Sequence, residues 1–278
     1  MRVIFLLVFL TGGWPLARAW LANRGTALIQ AIHWAGAAWL AWVLTFLLGE
    51  AAGSQPGVDP ARYLALSLTG CAGVAVLGAR RPHVGAWNCV VLGLLAVLVL
   101  PLAEKILADK DSLGTLRFAF LGATVAIGVL NYLPTRLAGA ALFLSLACTG
   151  EMVVLCAPDL GRDRLEAVDL LAQVCLVLVP WTAWVSWQRR LPPPNRFDQL
   201  WLHFRNRFGL FWGQRVRDQF NSSARHAGWH VWLSWRGLRR TGLITDPDLA
   251  GQQNMVETLR GLLSRFEDSS GNNPTEMN

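Results

Sequence analysis

Charged side chains are scarce in this 278-residue sequence, and acidic ones are scarcer than basic ones. Asp, Glu, Lys and Arg together make 15% of the residues, whereas soluble domains usually carry about 25%. Of the 25 basic residues, only Lys105 and Lys110 are lysine. The low charge, with a hydrophobic content of 53%, excludes an ordinary soluble protein.

Familiar catalytic and metal-binding motifs are missing as well. The five cysteines lie in apolar runs without CxxC spacing or a nearby histidine, so we expect neither a disulfide framework nor a zinc site. No Walker loop, GxSxG, HExxH or dinucleotide-binding fingerprint occurs. His226 and His230 are four residues apart but have no carboxylate or cysteine beside them, which argues against a metal site. The sequence therefore favours a protein without catalysis and predicts no metal and no cofactor.

Long apolar runs fill the first two thirds of the chain and predict a helical membrane protein. A membrane-crossing helix needs about 20 apolar residues. Six runs meet this need, at residues 26–48, 62–79, 85–104, 114–133, 138–157 and 167–187. The predicted fold is all-α: a polytopic bundle of six or seven transmembrane helices over residues 1–188.

The seventh candidate is the weaker run from Val3 to Trp20. Ala17-Arg18-Ala19 resembles a signal-peptide cleavage site. Cleavage there would place the arginine-rich C-terminal part outside, against the positive-inside rule. We therefore expect an uncleaved segment, as a span or as an interfacial helix.

Arginines after the last span predict its orientation. Residues 188–240 contain eleven arginines against only Asp198 and Asp218. Basic residues close to a span favour the cytoplasmic side. We therefore predict an inner-membrane protein with a cytoplasmic C-terminus, and counting back places Arg24, Arg80 and Arg136 on the same side.

Beyond a proline break at 192–194, residues 189–266 are predicted to form a small, basic, helical cytosolic region. Asn195 is a candidate N-cap, and apolar residues then recur at helical spacings of three and four. They are Phe197, Leu200, Trp201, Phe204, Phe208, Phe211, Trp212, Val216 and Phe220. We expect this aromatic stripe to be buried, either in the lipid interface or against other cytosolic helices.

Four arginines lie mainly off the stripe: Arg205, Arg207, Arg215 and Arg217. At a membrane surface they would face anionic lipid head groups. Nucleic-acid binding needs exposed aromatics for stacking, and a continuous stripe indicates burial instead, so we expect no nucleic-acid partner.

The rest of the C-terminal part is less regular. Residues 229–240 fit helix and strand spacing equally, and we assign them to a helix. Asp246-Pro247-Asp248 is typical of a helix start, and apolar residues follow it at helical spacing. Residues 267–278 are predicted to be a disordered tail.

Polar side chains inside the spans are the candidate functional residues, because such groups are costly in lipid. His33, Asn88 and Asn131 lie toward the cytoplasmic side, whereas Glu151 and Gln173 lie toward the opposite side. Depth therefore excludes a pair between Glu151 and His33, and we expect Glu151 to pair with Gln173, Lys105 or Arg164. Glu151 is either a proton or cation site, or a carboxyl that is protonated or that reaches the outer interface.

Two hypotheses of function follow. The leading one is a non-catalytic scaffold, or an assembly or regulatory component, whose C-terminal helices dock on the bilayer or on a protein partner. The alternative is a small transporter or channel that uses Glu151. Two inverted triplets of spans, 26–104 and 114–187, resemble the repeats of many transporters, since the third helix of each contains a proline, Pro101 and Pro180. Similar apolar phrases around a proline are common in membrane sequences, so we attribute this likeness to chance.

Overall fold

Ten helices and one short hairpin make up the described part of the chain. The computed structural model describes residues 2–51, 59–79, 84–108, 114–157, 160–189, 195–240 and 249–266. The helices are α1 (Arg2–Thr11), α2 (Gly13–Ala22), α3 (Ile29–Ala51), α4 (Pro60–Ala75), α5 (Val84–Ala108), α6 (Thr115–Tyr132), α7 (Ala138–Cys156), α8 (Arg162–Gln188), α9 (Arg196–His226) and α10 (Leu249–Leu263). The strands are β1 (Val231–Ser234) and β2 (Gly237–Arg240).

Six of the helices are long and apolar enough to cross a membrane. They cover Ile29–Leu48, Pro60–Gly78, Ala86–Glu104, Thr115–Tyr132, Ala138–Cys156 and Arg162–Gln188. Each overlaps one predicted span, so the prediction of an all-α polytopic membrane fold is confirmed. Their outward faces are apolar, as lipid requires: Val97 is 58% exposed and Leu171 is 59% exposed.

The bundle has two ends, because successive spans run in opposite directions. We call the base the end that holds the α2–α3 turn, Ala79, residues 133–137 and Gln188. We call the apex the end that holds Asp59, Gly114, Cys156 and Gly161.

Helix α4 lies at the centre of the bundle. It packs against α3, α5, α6 and α7, and its Tyr63 and Leu66 are buried almost completely. Gly73 faces Gly128 of α6, where an added β carbon would lie 2.7 Å from the Gly128 Cα. Glycine at both positions therefore allows the two backbones to approach closely, as is common between membrane helices.

The N-terminal segment is a broken helical pair rather than one straight span. Helices α1 and α2 have 10 residues each and meet at Gly12. Both pack along α3 and α8, and Trp14 meets Trp184 edge to face with ring centroids 4.6 Å apart. Each helix alone is too short to cross a bilayer, so this segment lies against the bundle beside the six long helices.

The two predicted triplets differ in their packing. Pro101 and Pro180 do lie inside α5 and α8. A two-fold relation between the triplets would pair α3 with α6 and α4 with α7. The interface between α4 and α6 would then have a counterpart of similar size between α7 and α3. Within the described residues, α7 instead packs mainly on α8 and α6, with no comparable α3 interface. This asymmetry weighs against an inverted-repeat transporter.

The aromatic stripe of α9 is buried, as predicted. Six of its residues are at most 5% exposed: Phe197, Trp201, Phe204, Phe208, Val216 and Phe220. They belong to a protein core that also contains Leu233, Met255, Leu259 and Phe266. Protein side chains therefore cover most of the stripe, while Phe211 remains 44% exposed.

A two-stranded hairpin replaces the helix assigned to residues 229–240, and that assignment is wrong. Strands β1 and β2 pair antiparallel with Leu233 opposite Leu238 and Ser234 opposite Gly237. The Asn221 side chain accepts from the Leu233 backbone N–H at 2.6 Å and donates to its carbonyl at 3.1 Å. The strand spacing of apolar residues is therefore the correct one for this segment, because Leu233 is buried in the core while its neighbour Trp232 is exposed.

The N-cap of α9 is confirmed, because Asn195 Oδ1 accepts from the Asp198 backbone N–H at 2.7 Å. Other predictions lie outside the described residues. They are the proline break at 192–194, the helix start at 246–248, the tail at 267–278 and a partner role for the Lys105 side chain.

Candidate functional sites at the two ends of the bundle

At the apex, one arginine forms ion pairs with three carboxylates. Arg62 of α4 donates through Nη1 to Glu151 Oε2 of α7 at 2.7 Å, and the same nitrogen donates to Asp169 Oδ1 of α8. Its Nε lies 3.4 Å from Asp59 Oδ2. Gln173 completes the group by donating through Nε2 to Asp169 Oδ2 at 2.8 Å. We call these five residues the Arg62 cluster.

Local structure positions the Arg62 cluster. Asp59 caps α4 by accepting from the Ala61 and Arg62 backbone N–H groups, and Pro60 occupies the first helical turn, where its missing N–H costs nothing. Helix α4 therefore starts at the apex and directs Arg62 toward α7. The close packing of α7 on α8 brings Glu151 beside Asp169.

The Arg62 cluster is deeply buried and unbalanced in charge. The Glu151 side chain is 1% exposed, that of Arg62 18% and that of Asp169 14%. One guanidinium therefore faces three carboxyl groups, counting the more exposed Asp59. A buried carboxylate needs a paired cation or a proton, so Arg62 is essential to this arrangement.

The sequence identified Glu151 but not its partner. Gln173 lies in the same cluster but bonds Asp169, and Arg164 is exposed at the start of α8. Arg62 was missed because sequence spacing does not tell which spans are neighbours. The position of Arg62 along its span could have indicated the pair. Arg62 lies within one turn of the apex, and its long side chain reaches the level of Glu151.

At the base, α9 lies across the ends of several bundle helices. The His203 ring packs on Trp187 at the end of α8, with centroids 6.0 Å apart. Asn206 Oδ1 accepts from the Arg136 backbone N–H at 3.3 Å. Farther along, Arg207 donates to Asn23 Oδ1 at 2.8 Å and Trp212 donates to the Val76 carbonyl at 3.2 Å.

Asn131 of α6 holds a break in α9. Its Nδ2 donates to the Phe208 carbonyl at 3.3 Å, and its Oδ1 accepts from the Phe211 N–H at 3.1 Å. Between them Gly209 has φ 80° and ψ −163°, a backbone conformation that residues other than glycine rarely adopt. Asn131 is fully buried, and it satisfies backbone groups that the break removes from the helical pattern.

Two further hydrogen bonds extend this interface. Tyr132 donates to the Arg207 carbonyl at 3.2 Å, and Trp235 donates to the Pro134 carbonyl at 2.7 Å. We call the contacts of residues 203–212 and Trp235 with the bundle the base clamp. It joins the C-terminal region to α2, α4, α6, α7 and α8 or their loops.

The four predicted surface arginines divide into two pairs. Arg205 donates to the Trp235 carbonyl at 2.7 Å and lies 5.3 Å from its ring centroid, and Arg207 belongs to the base clamp. Arg215 is exposed, and Arg217 lies 3.2 Å from Asp218. Arg205 and Arg207 thus have structural partners, while Arg215 is available at the surface.

The base carries a positive field. Burial lowers the pKa of the His203 imidazole, and the nearby Arg207 and Arg136 lower it further. Burial and the charge of Arg136 likewise lower the pKa of the Arg205 guanidinium. Additional anions would therefore be favoured at this end of the molecule.

The remaining polar candidates join helices near the base. Asn88 of α5 accepts from Trp34 Nε1 at 3.1 Å and donates to Gln30 Oε1 at 2.9 Å. His33 Nε2 accepts from Trp20 Nε1 at 3.0 Å. His33, Asn88 and Asn131 thus lie toward the base, whereas Glu151 and Gln173 lie toward the apex, in the two groups that their depth predicted.

Across the described residues, no group of three or more His, Cys, Asp or Glu side chains is placed to hold a metal ion. Cys71, Cys148 and Cys175 are buried, Cys89 and Cys156 are exposed, and none of these five cysteines forms a disulfide. Comparison with known proteins gave no match with any protein-family model, curated protein or solved structure.

Proposed function

We propose that this chain is a multi-pass inner-membrane protein that acts without catalysis, as a scaffold or assembly component. It would present its basic C-terminal region to a partner at the cytoplasmic face. The base clamp supports this proposal most directly. A C-terminal region that was only tethered to the last span would need neither the buried Asn131 nor the break at Gly209.

One exposed face of the hairpin has the composition of an interaction site. Trp232 is 45% exposed, and Arg239 lies directly opposite it in the hairpin. Arg236 and Arg239 are exposed as well. Tryptophan and arginine are enriched at the centres of protein interfaces. We therefore expect a partner with an acidic surface, and anionic lipid head groups as a second contact of the same region.

The orientation is part of the proposal. Arg18, Arg24 and Arg136 all lie at the base, together with the arginine-rich C-terminal region. Basic residues next to spans favour the cytoplasm, which supports a cytoplasmic base and an apex on the opposite side.

Photo-crosslinking in intact cells tests the scaffold. A photoreactive amino acid at Trp232 should give one discrete protein adduct, and Arg239→Glu should remove that adduct while membrane insertion stays unchanged. The same photoreactive group at Leu171, on the lipid-facing side of α8, is the matched control and should give no protein adduct. If position 232 gives no protein adduct, or if Arg239→Glu leaves it intact, the scaffold proposal is wrong.

A second candidate function is supported by the Arg62 cluster. Three carboxyl groups share one guanidinium, so a bound proton or cation would balance the charge, as in a small transporter or channel. In proteoliposomes, such a protein would conduct protons or a monovalent cation, and Glu151→Gln would abolish the flux at unchanged thermal stability. If the unsubstituted protein shows no flux, or if Glu151→Gln merely stabilises it, the carboxyl has only a structural role.

A further inference from the structure

The N-terminal part of the chain contains no acidic residue before Glu50, yet it holds arginines at the base. Arg18 lies on α2, and Arg24 follows in the α2–α3 turn. Both are exposed. Residues 1–49 therefore contain no acidic side chain that could balance these arginines.

An indole ring lies beside each of these arginines. The Arg24 guanidinium carbon lies 3.7 Å from the Trp20 ring centroid, and the Trp20 Nε1 donates to His33 Nε2 at 3.0 Å. Arg18 lies 5.7 Å from the ring centroid of Trp14, which itself packs on Trp184. Each guanidinium thus lies near an indole that contacts α3 or α8.

A third guanidinium lies in the same corner. Arg207 donates to the Asn23 side chain, to the Ala22 carbonyl at 3.3 Å and to Thr26 Oγ1 at 3.4 Å. These acceptors flank Arg24. The guanidinium groups of Arg24 and Arg207 therefore lie around one short turn, and their positive charges favour a phosphate at this place.

We propose that this corner, formed by Arg18, Trp20, Arg24 and Arg207, binds the phosphate of an anionic phospholipid from the leaflet at the base. Arg24 contacts the phosphate oxygens, since a guanidinium matches their geometry with paired N–H groups. Trp20 lies at the interfacial level that tryptophan prefers. His33 is a positioning residue, because it holds the indole under Arg24.

The neighbouring surface identifies the ligand as a lipid rather than a soluble phosphate. Trp14 is 50% exposed and Leu21 is 51% exposed on α2, beside the two arginines. An acyl chain can cover these apolar groups while its head group meets Arg24. Free phosphate offers no such contact, so it should bind more weakly.

Thermal unfolding of the full-length protein in mild detergent tests the site, with short-chain phosphatidylglycerol as the probe. The probe should raise the unfolding midpoint, and short-chain phosphatidylcholine should raise it less. Arg24→Gln should weaken the apparent affinity for phosphatidylglycerol by about fivefold, the effect of one arginine near an anionic surface. The lipid-free midpoint should stay unchanged, because Arg24 is exposed.

Arg225→Gln is the matched control, because Arg225 is an exposed arginine at the far end of α9. It should leave the affinity for phosphatidylglycerol unchanged. Equal affinity in Arg24→Gln, an equal loss in Arg225→Gln, or equal protection by phosphatidylcholine would overturn the proposal. Protection by inorganic phosphate as strong as that by phosphatidylglycerol would show a soluble-anion site instead.

Discussion

Arg62 shows how one side chain can decide whether a polar group is tolerated inside the bundle. Its guanidinium bonds Glu151, which is 1% exposed, and Asp169, which is 14% exposed. Forming a buried ion pair gains little net free energy, because both charges lose water. Removing one partner is different, because it leaves the other charge buried without compensation.

We therefore predict that Arg62→Gln destabilises the protein by about 3–5 kcal/mol. Glutamine cannot balance Glu151 and Asp169, so one of these carboxyl groups must take up a proton or the apex must open. Thermal unfolding in detergent would measure the effect.

Arg162→Gln is the control for this prediction. The Arg162 side chain is 82% exposed and pairs with Glu166 on the same helix face at 3.0 Å. Exposed pairs of this kind contribute well under about 1 kcal/mol. If Arg62→Gln unfolds no earlier than Arg162→Gln, the Arg62 cluster does not hold α4, α7 and α8 together.

Single residues were only partly predictable from the sequence. Glu151 and Asn131 stood out because each is polar within an apolar run. Their partners, Arg62 and the backbone around Gly209, did not stand out, because they depend on which helices touch. The sequence thus identified which groups require partners, while tertiary packing determined which partners they have.

At the scale of elements, α9 departs from its prediction at one residue, Gly209. Its apolar residues keep helical spacing across Gly209, from Phe208 to Phe211 and Trp212, so the sequence predicts one continuous helix. Glycine alone costs a helix about 1 kcal/mol. The break forms because Asn131 satisfies the backbone groups on both sides of Gly209, which no helical pattern reveals.

Gly209→Ala should therefore loosen the base clamp. A β carbon at this position would overlap the Asn131 side chain, at a φ of 80° that alanine rarely adopts. We expect a loss of about 1–3 kcal/mol, measurable as a lower unfolding midpoint and faster proteolysis within α9.

Gly139→Ala supplies the comparison, since nothing lies within 4 Å of an added β carbon at this position in α7. Its unfolding midpoint should stay the same or rise slightly, because alanine favours helix. Equal behaviour of the two variants would mean that the break at Gly209 contributes nothing to docking.

In the hairpin, unlike in α9, the spacing of apolar residues fitted two kinds of element equally well. Val231, Leu233 and Trp235 fit strand spacing, and Trp229, Trp232 and Trp235 fit helix spacing. Burial of Leu233 and its hydrogen bonds to Asn221 favour the strand. Short apolar runs do not distinguish the two periods without knowing which neighbour they pack on.

At the scale of the whole molecule, the six long helices were predictable because bilayer thickness fixes their length and composition. The packing of the C-terminal region onto the base was not predictable. Its aromatic stripe indicated burial, but the choice between lipid and protein depended on contacts far apart in the sequence. The hairpin and α10 now cover most of that stripe.

Reporter fusions at Asn278 and at Ser112 should report opposite sides of the membrane, with Asn278 cytoplasmic. The positive-inside rule and the arginines at the base motivate this expectation. An external reporter at Asn278 would contradict the proposed orientation, whereas the base clamp itself would be unaffected.

Hydrogen–deuterium exchange of the full-length protein in lipid nanodiscs tests the central claim most directly, namely that the base clamp fixes the C-terminal region to the bundle. The amides of residues 205–213 should exchange as slowly as those in the centre of α4, because Phe211 donates to the buried Asn131. Asn131→Ala should accelerate exchange in this segment while leaving α7 unchanged. Fast exchange of residues 205–213 in the unsubstituted protein would contradict the claim, because it would show a C-terminal region that is only tethered to the last span.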